Sequence, residues 1–321
     1  MIGRIWIAVV AFLVAAWPLS AQNGTYNGFS PYSVYGIGDL HAAGTAFNAS
    51  MGGVGIATRN KRFVNTMNPA SITARDSLSF MADFGLSGKF SVFSEGDLKG
   101  KKTLFNINDF VISFPMWRHT AFMVGIQPFS DTGFSMSYAD KITTGDQSIG
   151  YTGNRAYGAY GDGGLHQFFA AASATLWNRL SVGAQYNLYF GTISKYSMSQ
   201  FTDASYRSQT LGDTLQVRAH TAKFGLQYEQ PVGTGKFILG ATYRLGAYMD
   251  QSYYKVDGVP VTAAGITLGM TLPVFQGYNG ITFALDLGQR GFGTGFVKEN
   301  YLGFHVGFNI FDIWFRKPQY Q

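Results

Sequence analysis

The side chains that most often carry out chemistry in proteins are few in this sequence and far apart. Its five histidines lie at positions 41, 119, 166, 220 and 305, and none has a second histidine or a carboxylate at the spacing of a metal site. Cysteine is absent, and no Gly-x-Ser-x-Gly motif of a hydrolase is present. The sequence therefore predicts a protein that is not an enzyme and that holds no metal ion and no other cofactor. A catalytic group assembled by folding around His166 or His220 is the one enzymatic alternative.

Two glycine-rich segments have the composition of nucleotide-binding loops but not their context. Gly233-Thr234-Gly235-Lys236 ends like a phosphate-binding loop, yet Gln230 and Phe237 stand where that loop needs glycine and serine or threonine. Gly52-Gly53-Val54-Gly55 does not lie between a strand and a helix, as a dinucleotide-binding loop would. The first segment is predicted to be a hairpin turn, and neither segment predicts a bound nucleotide.

The excess of basic residues does not predict a nucleic-acid partner. The formal net charge is +6, but lysine and arginine are scattered along the chain, whereas nucleic-acid-binding proteins group them on one face. The compact run Lys99-Gly100-Lys101-Lys102 is predicted to be a solvated hairpin loop.

Aromatic residues are abundant and charged residues are scarce. The 321 residues include 28 Phe, 19 Tyr and 5 Trp, and only 13% are charged, about half the usual quarter. This balance is the reverse of that in a disordered chain. The mean hydropathy of +0.02 is too low for a bundle of membrane helices. Many aromatic side chains must therefore find an apolar environment of another kind.

The first 21 residues have the pattern of a secretory signal peptide. Arg4 is followed by an uncharged apolar stretch at residues 5–16, and Ala21 is small enough for cleavage. A membrane anchor would need about 20 apolar residues, and Pro18 interrupts this stretch. Residues 1–21 are therefore predicted to direct export and to be removed.

From Ser77 onward, apolar residues occur at every second position. In the first segment, Leu78 and Phe80 alternate with Ser79. The same alternation recurs in segments that begin at Thr120, Leu180, Ile266, Ile281 and Leu302. Because successive strand residues face opposite sides, the pattern predicts β-strands with one apolar face and one small or polar face.

Three features favour a membrane barrel over a soluble sandwich, which is the alternative for such strands. The segments run for roughly 9 to 13 residues, close to the 9–11 that cross a bilayer. Their second faces carry Gly, Ser, Thr, Gln and Asn more than Lys and Glu. Aromatic residues cluster at strand ends, as in membrane girdles: Phe90 and Phe93, Phe114 and Trp117, Trp314 and Phe315. The fold is predicted to be all-β, a transmembrane antiparallel β-barrel of 12–14 strands in the outer membrane of a Gram-negative cell.

The chain divides into a signal peptide (1–21), an irregular N-terminal segment (22–75) and the barrel (76–321). Residues 22–75 are rich in Gly, Asn, Ser, Tyr and Pro and show no sustained periodicity. A loop this long in a compact domain is uncommon and tends to be functional. It is predicted to be a plug that enters the lumen of the barrel.

Residues 52–73, GGVGIATRNKRFVNTMNPASIT, resemble the N-terminal plug of the FadL family of outer-membrane long-chain fatty acid transporters. In that family a Gly/Ala-rich stretch leads to an Asn-Pro-Ala step before the first barrel strand. The resemblance implies passive uptake of small hydrophobic molecules with lateral release past a bulged wall strand. This chain is shorter than typical members, which implies trimmed loops. The plug and gate residues that the resemblance implies are Gly52, Gly53, Gly55, Asn68, Pro69 and Ala70.

If the apolar faces contact lipid, several charged residues must line the lumen. Such charges either guide a solute or pair with one another and with the plug, and the structural role is favoured. The candidates are Asp83, Lys89, Arg244, Asp286, Arg290 and His305.

Two functions remain open. The first is the passive uptake just described, with outer-membrane lipid and a hydrophobic small molecule as partners. The second is a non-transporting scaffold or accessory subunit of an outer-membrane secretion or protein-assembly complex, with other outer-membrane proteins as partners. Short loops and the segment at residues 30–40, SPYSVYGIGDL, which has no counterpart in the transporters, favour the second.

Overall fold

A computed structural model describes most of the chain. The described residues are 28–74, 79–117, 119–142, 153–177, 179–201, 206–228, 242–256, 258–274, 279–292 and 297–313. Four predictions concern residues outside the described ones. They are the signal peptide, the boundary between residues 75 and 76, the turn at residues 233–236, and the aromatic pair Trp314 and Phe315.

The described residues form eleven strands of one sheet, and its strand pairs are antiparallel. Three short helical turns precede the long strands: Pro31–Val34, α1 (Ala46–Ala49) and Pro69–Ala74. Within the same ranges, no helix has the length and apolar character needed to span a membrane. The strands are β1 (Asp39–Leu40), β2 (Ser79–Glu95), β3 (Leu98–Pro115), β4 (Thr120–Ile142), β5 (Gly153–Leu176), β6 (Leu180–Phe201), β7 (Gln209–Tyr228), β8 (Thr242–Val256), β9 (Val259–Val274), β10 (Asn279–Arg290) and β11 (Lys298–Ile313).

The sheet is a meander whose first and last long strands pair with each other. Its order is β7-β6-β5-β4-β3-β2-β11-β10-β9-β8, and β1 pairs with β4 beside this path. The β2–β11 ladder runs from the pair Ser79–Ile313 to the pair Ser94–Lys298. β7 and β8 stand at the two ends of the order, next to residues 229–241, which are not described.

The sheet curves round residues 28–74, named here the N-terminal segment. Because β6 and β8 lie near opposite ends of the sheet order, one segment reaches both only if the sheet bends back on itself. The predicted all-β antiparallel barrel is therefore confirmed. The contacts that show the bend are Ser30 N to Gly133 O at 2.8 Å, Lys195 Nζ to Val34 O at 2.7 Å, Tyr253 OH to Gly38 O at 2.8 Å, and Arg290 Nη1 to Asp39 Oδ2 at 2.6 Å.

The barrel is polar inside and apolar outside, as the alternation predicts. Among the described residues, 27 polar or charged residues are buried, against 21 apolar ones. Large apolar side chains instead face outward; for example, Phe105 is 58% exposed and Leu226 is 65% exposed. Exposed apolar surface on this scale is costly in water. A sheet bent round with this arrangement is suited to lipid, because strand pairing satisfies most backbone polar groups of the wall.

The described residues contain ten long strands, fewer than the 12–14 predicted. β4 runs unbroken from Thr120 to Ile142 and β5 from Gly153 to Leu176, so each occupies a stretch of chain for which the prediction of 12–14 strands allowed two. β4 carries a register shift between Pro128 and Ser130, which changes the phase of the alternation without ending the strand. β4, β5 and β6 are 23, 24 and 22 residues long, about twice the 9–11 that cross a bilayer.

One end of the barrel carries exposed tryptophan residues in its turns. The β3–β4 and β5–β6 turns contain Trp117 and Trp177, which are 71% and 83% exposed. The opposite end, at which β4, β5 and β6 run farthest, is named the outer end below, and tight turns occur there too, as at residues 96–97 between β2 and β3.

Candidate functional site

The Asn68-Pro69-Ala70 step packs against the wall where two neighbouring strands carry glycine instead of a side chain. Gly183 of β6 and Gly225 of β7 stand directly opposite each other. A Cβ atom at Gly183 would lie 2.5 Å from the backbone carbon of Pro69 and 2.6 Å from the nitrogen of Ala70, closer than non-bonded atoms approach. A Cβ at Gly225 would collide with the Asn68 side chain and the Pro69 ring. The two glycines therefore let the step rest on the backbone of the wall.

Two asparagine side chains fold the loop that precedes this step. Asn68 Nδ2 donates to Ile56 O at 2.8 Å, and Asn68 Oδ1 accepts from Ala70 N at 3.0 Å. Asn65 Nδ2 donates to Gly55 O at 2.6 Å. Both asparagines are buried. Because a buried carbonyl or amide must be paired, these bonds fix the loop to the step.

The three predicted gate glycines have different environments. Gly55 is buried against the side chains of Asn48 and Met67, where a Cβ would clash. Gly52 and Gly53 have φ of 71° and 79°, a conformation that favours glycine. A Cβ at Gly53 would meet no atom within 4 Å. Gly55 therefore packs against other residues of the N-terminal segment, whereas Gly52 and Gly53 lie in a turn.

A buried carboxylate ties the N-terminal segment to the wall. Glu299 of β11 is fully buried and lies 2.6 Å from Lys89 of β2 and 3.7 Å from Arg290 of β10. Arg290 also contacts Asp39 of the N-terminal segment at 2.6 Å. Ser91 Oγ donates to Glu299 Oε1 at 3.0 Å. Three wall strands and the N-terminal segment therefore share one ion-pair cluster.

Two further lumen candidates lie against neighbouring wall strands. Tyr248 OH donates to Asp286 Oδ1 at 2.9 Å and lies 2.5 Å from Tyr301 OH. Asp83 is buried and accepts from Asn309 Nδ2 at 3.4 Å. Both aspartates thus bond to residues of the wall.

The remaining two candidates stand apart. His305 of β11 lies between Ala284 of β10 and Ser87 of β2. Arg244 lies on β8 opposite Gly269, and its side chain is outside the described part of the structure. The predicted lumen residues therefore do not converge on one place, although Lys89 and Arg290 share Glu299.

Sequence reasoning missed Glu299 and Asp39. Glu299 falls on the same alternating row of β11 as His305 and Asn309, so extending that row toward the strand start identifies it as inward-facing. Asp39 lies in a segment without periodicity, where sequence offers no signal for a long-range partner.

The wall has an open seam between β3 and β4, toward the outer end. Only residues 110–115 of β3 pair with β4, opposite residues 121–126. In the described residues, no strand pairs with β3 between residues 98 and 109 on the side away from β2. β4 beyond residue 128 pairs with β5 on one side and with the two residues of β1 on the other. "The seam" below means these two facing edges.

An apolar cavity of about 240 Å³ lies in the seam. Its inner lining comes from the N-terminal segment and β2, and Lys102 Nζ lies 4.7 Å from the centre of the Phe29 ring. The lining residues are Phe29, Pro31, Phe93, Gly100, Lys101, Lys102, Phe134, Ser135 and Met136.

The Lys99–Lys102 run was predicted to be a hairpin loop, and this prediction is wrong. All four residues belong to β3. A run with lysines on both strand faces has no amphipathic alternation, so the pattern does not reveal a strand that extends beyond the membrane.

The seam can be tested with engineered disulfides, since the protein has no cysteine of its own. We expect the pair Phe110→Cys and Ile126→Cys to cross-link readily, because these positions are register partners and directly opposite residues lie within disulfide range. Leu104→Cys with Thr132→Cys, which an uninterrupted ladder would bring opposite each other, should stay reduced. Gel mobility with and without reductant measures both, and efficient oxidation of the second pair would contradict an open seam.

Solved structures with a similar fold include transporters of hydrophobic compounds, at low identity. The P. putida toluene transporter TodX is 9% identical with a TM-score of 0.44, covering 87% of this chain and 100% of that one. A Pseudomonas aeruginosa FadL homologue is 10% identical with a TM-score of 0.38, covering 86% and 99%. The Ralstonia pickettii toluene transporter TbuX is 11% identical with a TM-score of 0.38, covering 83% and 97%. No curated protein matches the chain.

A protein-family match covers far more of the sequence than the plug motif at residues 52–73 does. The model of the family described as BamG matches residues 1–239 and 234–321. The resemblance to the FadL family remains a prediction about fold and plug. The chain belongs to the BamG family.

Proposed function

We propose that the protein is a non-enzymatic, non-transporting barrel of the outer membrane that serves as an accessory subunit of a protein-assembly complex. The observation that carries the proposal is the bonding of the N-terminal segment to strands all round the inner wall. A segment bonded to the wall in this way fills the lumen permanently. The barrel is then suited to a structural role rather than to transport.

The energetic cost of opening supports this reading. Moving the N-terminal segment out of the lumen would separate Arg290 from Asp39 and leave Arg290 with Glu299, a carboxylate that Lys89 also shares. Removing one partner of a fully buried ion pair costs about 3–5 kcal/mol, and the Arg290–Asp39 pair, which is partly exposed, costs less than that. Lifting Pro69 and Ala70 from Gly183 would add lost packing. A passive pore has no energy source for such a step at each passage.

Membership of the BamG family supports assembly over secretion and over uptake. The open seam also supports a partner-binding role, because unpaired strand edges are places where another chain can add.

Passive uptake of a small hydrophobic molecule is the second candidate, and the seam cavity favours it. The cavity is mainly apolar, and its lining includes residues of both strand edges that face each other across the seam. Its volume of about 240 Å³ is below the ~300–1,000 Å³ typical of drug-sized ligands, so it would suit a small aromatic or aliphatic compound that leaves sideways into the lipid.

Purification from native membranes in mild detergent tests the proposal. We expect the tagged protein to elute in one complex with a second outer-membrane protein, and depletion of this protein to lower the amounts of other outer-membrane barrels. A lone monomer with unchanged barrel amounts would overturn it. Uptake of labelled toluene and palmitate should be the same with and without the protein; loss of either uptake would favour the second candidate.

A further inference from the structure

We propose that the seam binds an extended, acidic segment of a partner protein as an added β-strand. This goes a step beyond the proposed assembly role, since it names the contact surface and the chemistry of the partner. The support comes from the strand edges, from one glycine, from the cavity lining and from the charges beside it.

The two edges of the seam offer backbone groups to an incoming strand. β3 has no strand neighbour on its seam side between residues 98 and 109 in the described residues. On the β4 side, Ser30 N already donates to Gly133 O at 2.8 Å, and β1 pairs with Ser130 and Asp131. The chain therefore uses part of this edge for strand addition itself, and the edge continues outward beyond residue 133. Added strands gain affinity from such backbone hydrogen bonds.

Gly100 marks a place where another backbone can approach β3. A Cβ at Gly100 would meet no atom within 4 Å, so the packing of this chain does not require a glycine there. Glycine in a strand interior weakens the strand and often marks a close approach of a ligand or of another backbone. Because Gly100 lines the seam cavity, the approach would come from within the seam.

The cavity lining and the nearby charges specify the partner's side chains. Phe29, Phe93 and Phe134 make the inner surface of the cavity apolar, which suits one large apolar side chain. Lys99 and Lys101 alternate with Gly100, so both face away from Phe93, and both are exposed. An incoming strand would therefore place apolar residues inward and carboxylates outward, at every second position.

The test uses a synthetic peptide, Thr-Glu-Val-Glu-Phe-Glu-Val-Glu-Thr, and the full chain purified in detergent. We expect saturable binding by fluorescence anisotropy. Gly100→Val should weaken it at least tenfold, because the added side chain occupies the approach path. Gly158→Val is the matched control: its Cβ also meets nothing within 4 Å, and it should bind like the parent. Heat-modifiable gel mobility should show that both variants fold.

Two altered peptides separate strand addition from other contacts. N-methylation of alternate amides should abolish binding, and replacement of each Glu by Lys should weaken it at least tenfold. Equal binding of the methylated peptide, equal binding to Gly100→Val, or no binding of the parent peptide would each overturn the proposal. So would displacement of the peptide by dodecyl phosphate, which would identify the seam as a lipid site.

Failure here is distinguishable from failure of the assembly role. If the protein co-purifies with an assembly complex but Gly100→Val leaves that complex intact and the peptide unbound, the seam proposal alone falls. If the protein is a lone monomer yet binds the peptide through Gly100, the assembly role alone falls.

Discussion

Replacing Glu299 with alanine is expected to lower the free energy of unfolding by about 3 kcal/mol or more and to loosen the N-terminal segment. The carboxylate is fully buried and stands between Lys89 and Arg290. Its removal leaves Lys89 without the carboxylate that lies 2.6 Å away and leaves Arg290 with Asp39. The urea midpoint of heat-modifiable mobility in lipid measures the loss, and hydrogen exchange of residues 28–41 measures the loosening.

Two further variants control this prediction. Glu299→Gln keeps an oxygen that can accept from Ser91 and should lose less stability than the alanine variant. Glu95→Ala removes a carboxylate at the exposed end of β2, where charges contribute at most about 1 kcal/mol. If Glu299→Ala shifts the midpoint no more than Glu95→Ala does, the buried cluster does not hold the segment.

The sequence reveals the direction in which the strands face, because one physical rule governs it. Strand residues alternate sides, so a row such as Leu302, Phe304 and Phe308 must face one environment together. A second face of Gly, Asn and His is too poor in charge for water, which leaves lipid for the first face. Phe308 is indeed outward and exposed, and Asn309 is buried.

The number of strands is harder to predict, because the alternation does not distinguish a bulge from a turn. Pro128 interrupts the alternation, and Gly133 follows soon after. Proline and glycine both suggest a chain reversal in a sequence. In the structure the strand continues to Ile142, because its pairing with β5 resumes one residue later.

The candidate site is the least predictable part, since its residues are distant in sequence. The Asn68-Pro69-Ala70 step was identified by resemblance, but its seat is made by Gly183 and Gly225, two of 41 glycines. The seam depends on an absence of pairing, which leaves no pattern in the sequence.

The second large effect on stability is expected where the Asn68-Pro69-Ala70 step packs against Gly183, and a substitution that adds one methyl group is enough to produce it. Gly183→Ala is expected to lower the free energy of unfolding by about 2 kcal/mol, within the 1–3 kcal/mol usual for overpacking. The new Cβ would lie 2.5 Å from the backbone of Pro69. Backbone cannot rotate away as a side chain can, so the step must leave the wall. Faster hydrogen exchange in residues 65–74 and a lower urea midpoint would show this.

Gly158→Ala is the matched control for the second prediction, because it adds the same methyl group where nothing lies within 4 Å. Both variants reduce the entropy of the unfolded chain, as any Gly→Ala change does. The difference between their free energies of unfolding therefore isolates the contact with Pro69. Gly225→Ala should behave like Gly183→Ala, since the two positions face the same step. Equal midpoints for Gly183→Ala and Gly158→Ala would mean that the step does not rest on the wall. The N-terminal segment would then be held by the Glu299 cluster and by the hydrogen bonds of residues 30–38 to the wall, and the case for a permanently filled lumen would weaken.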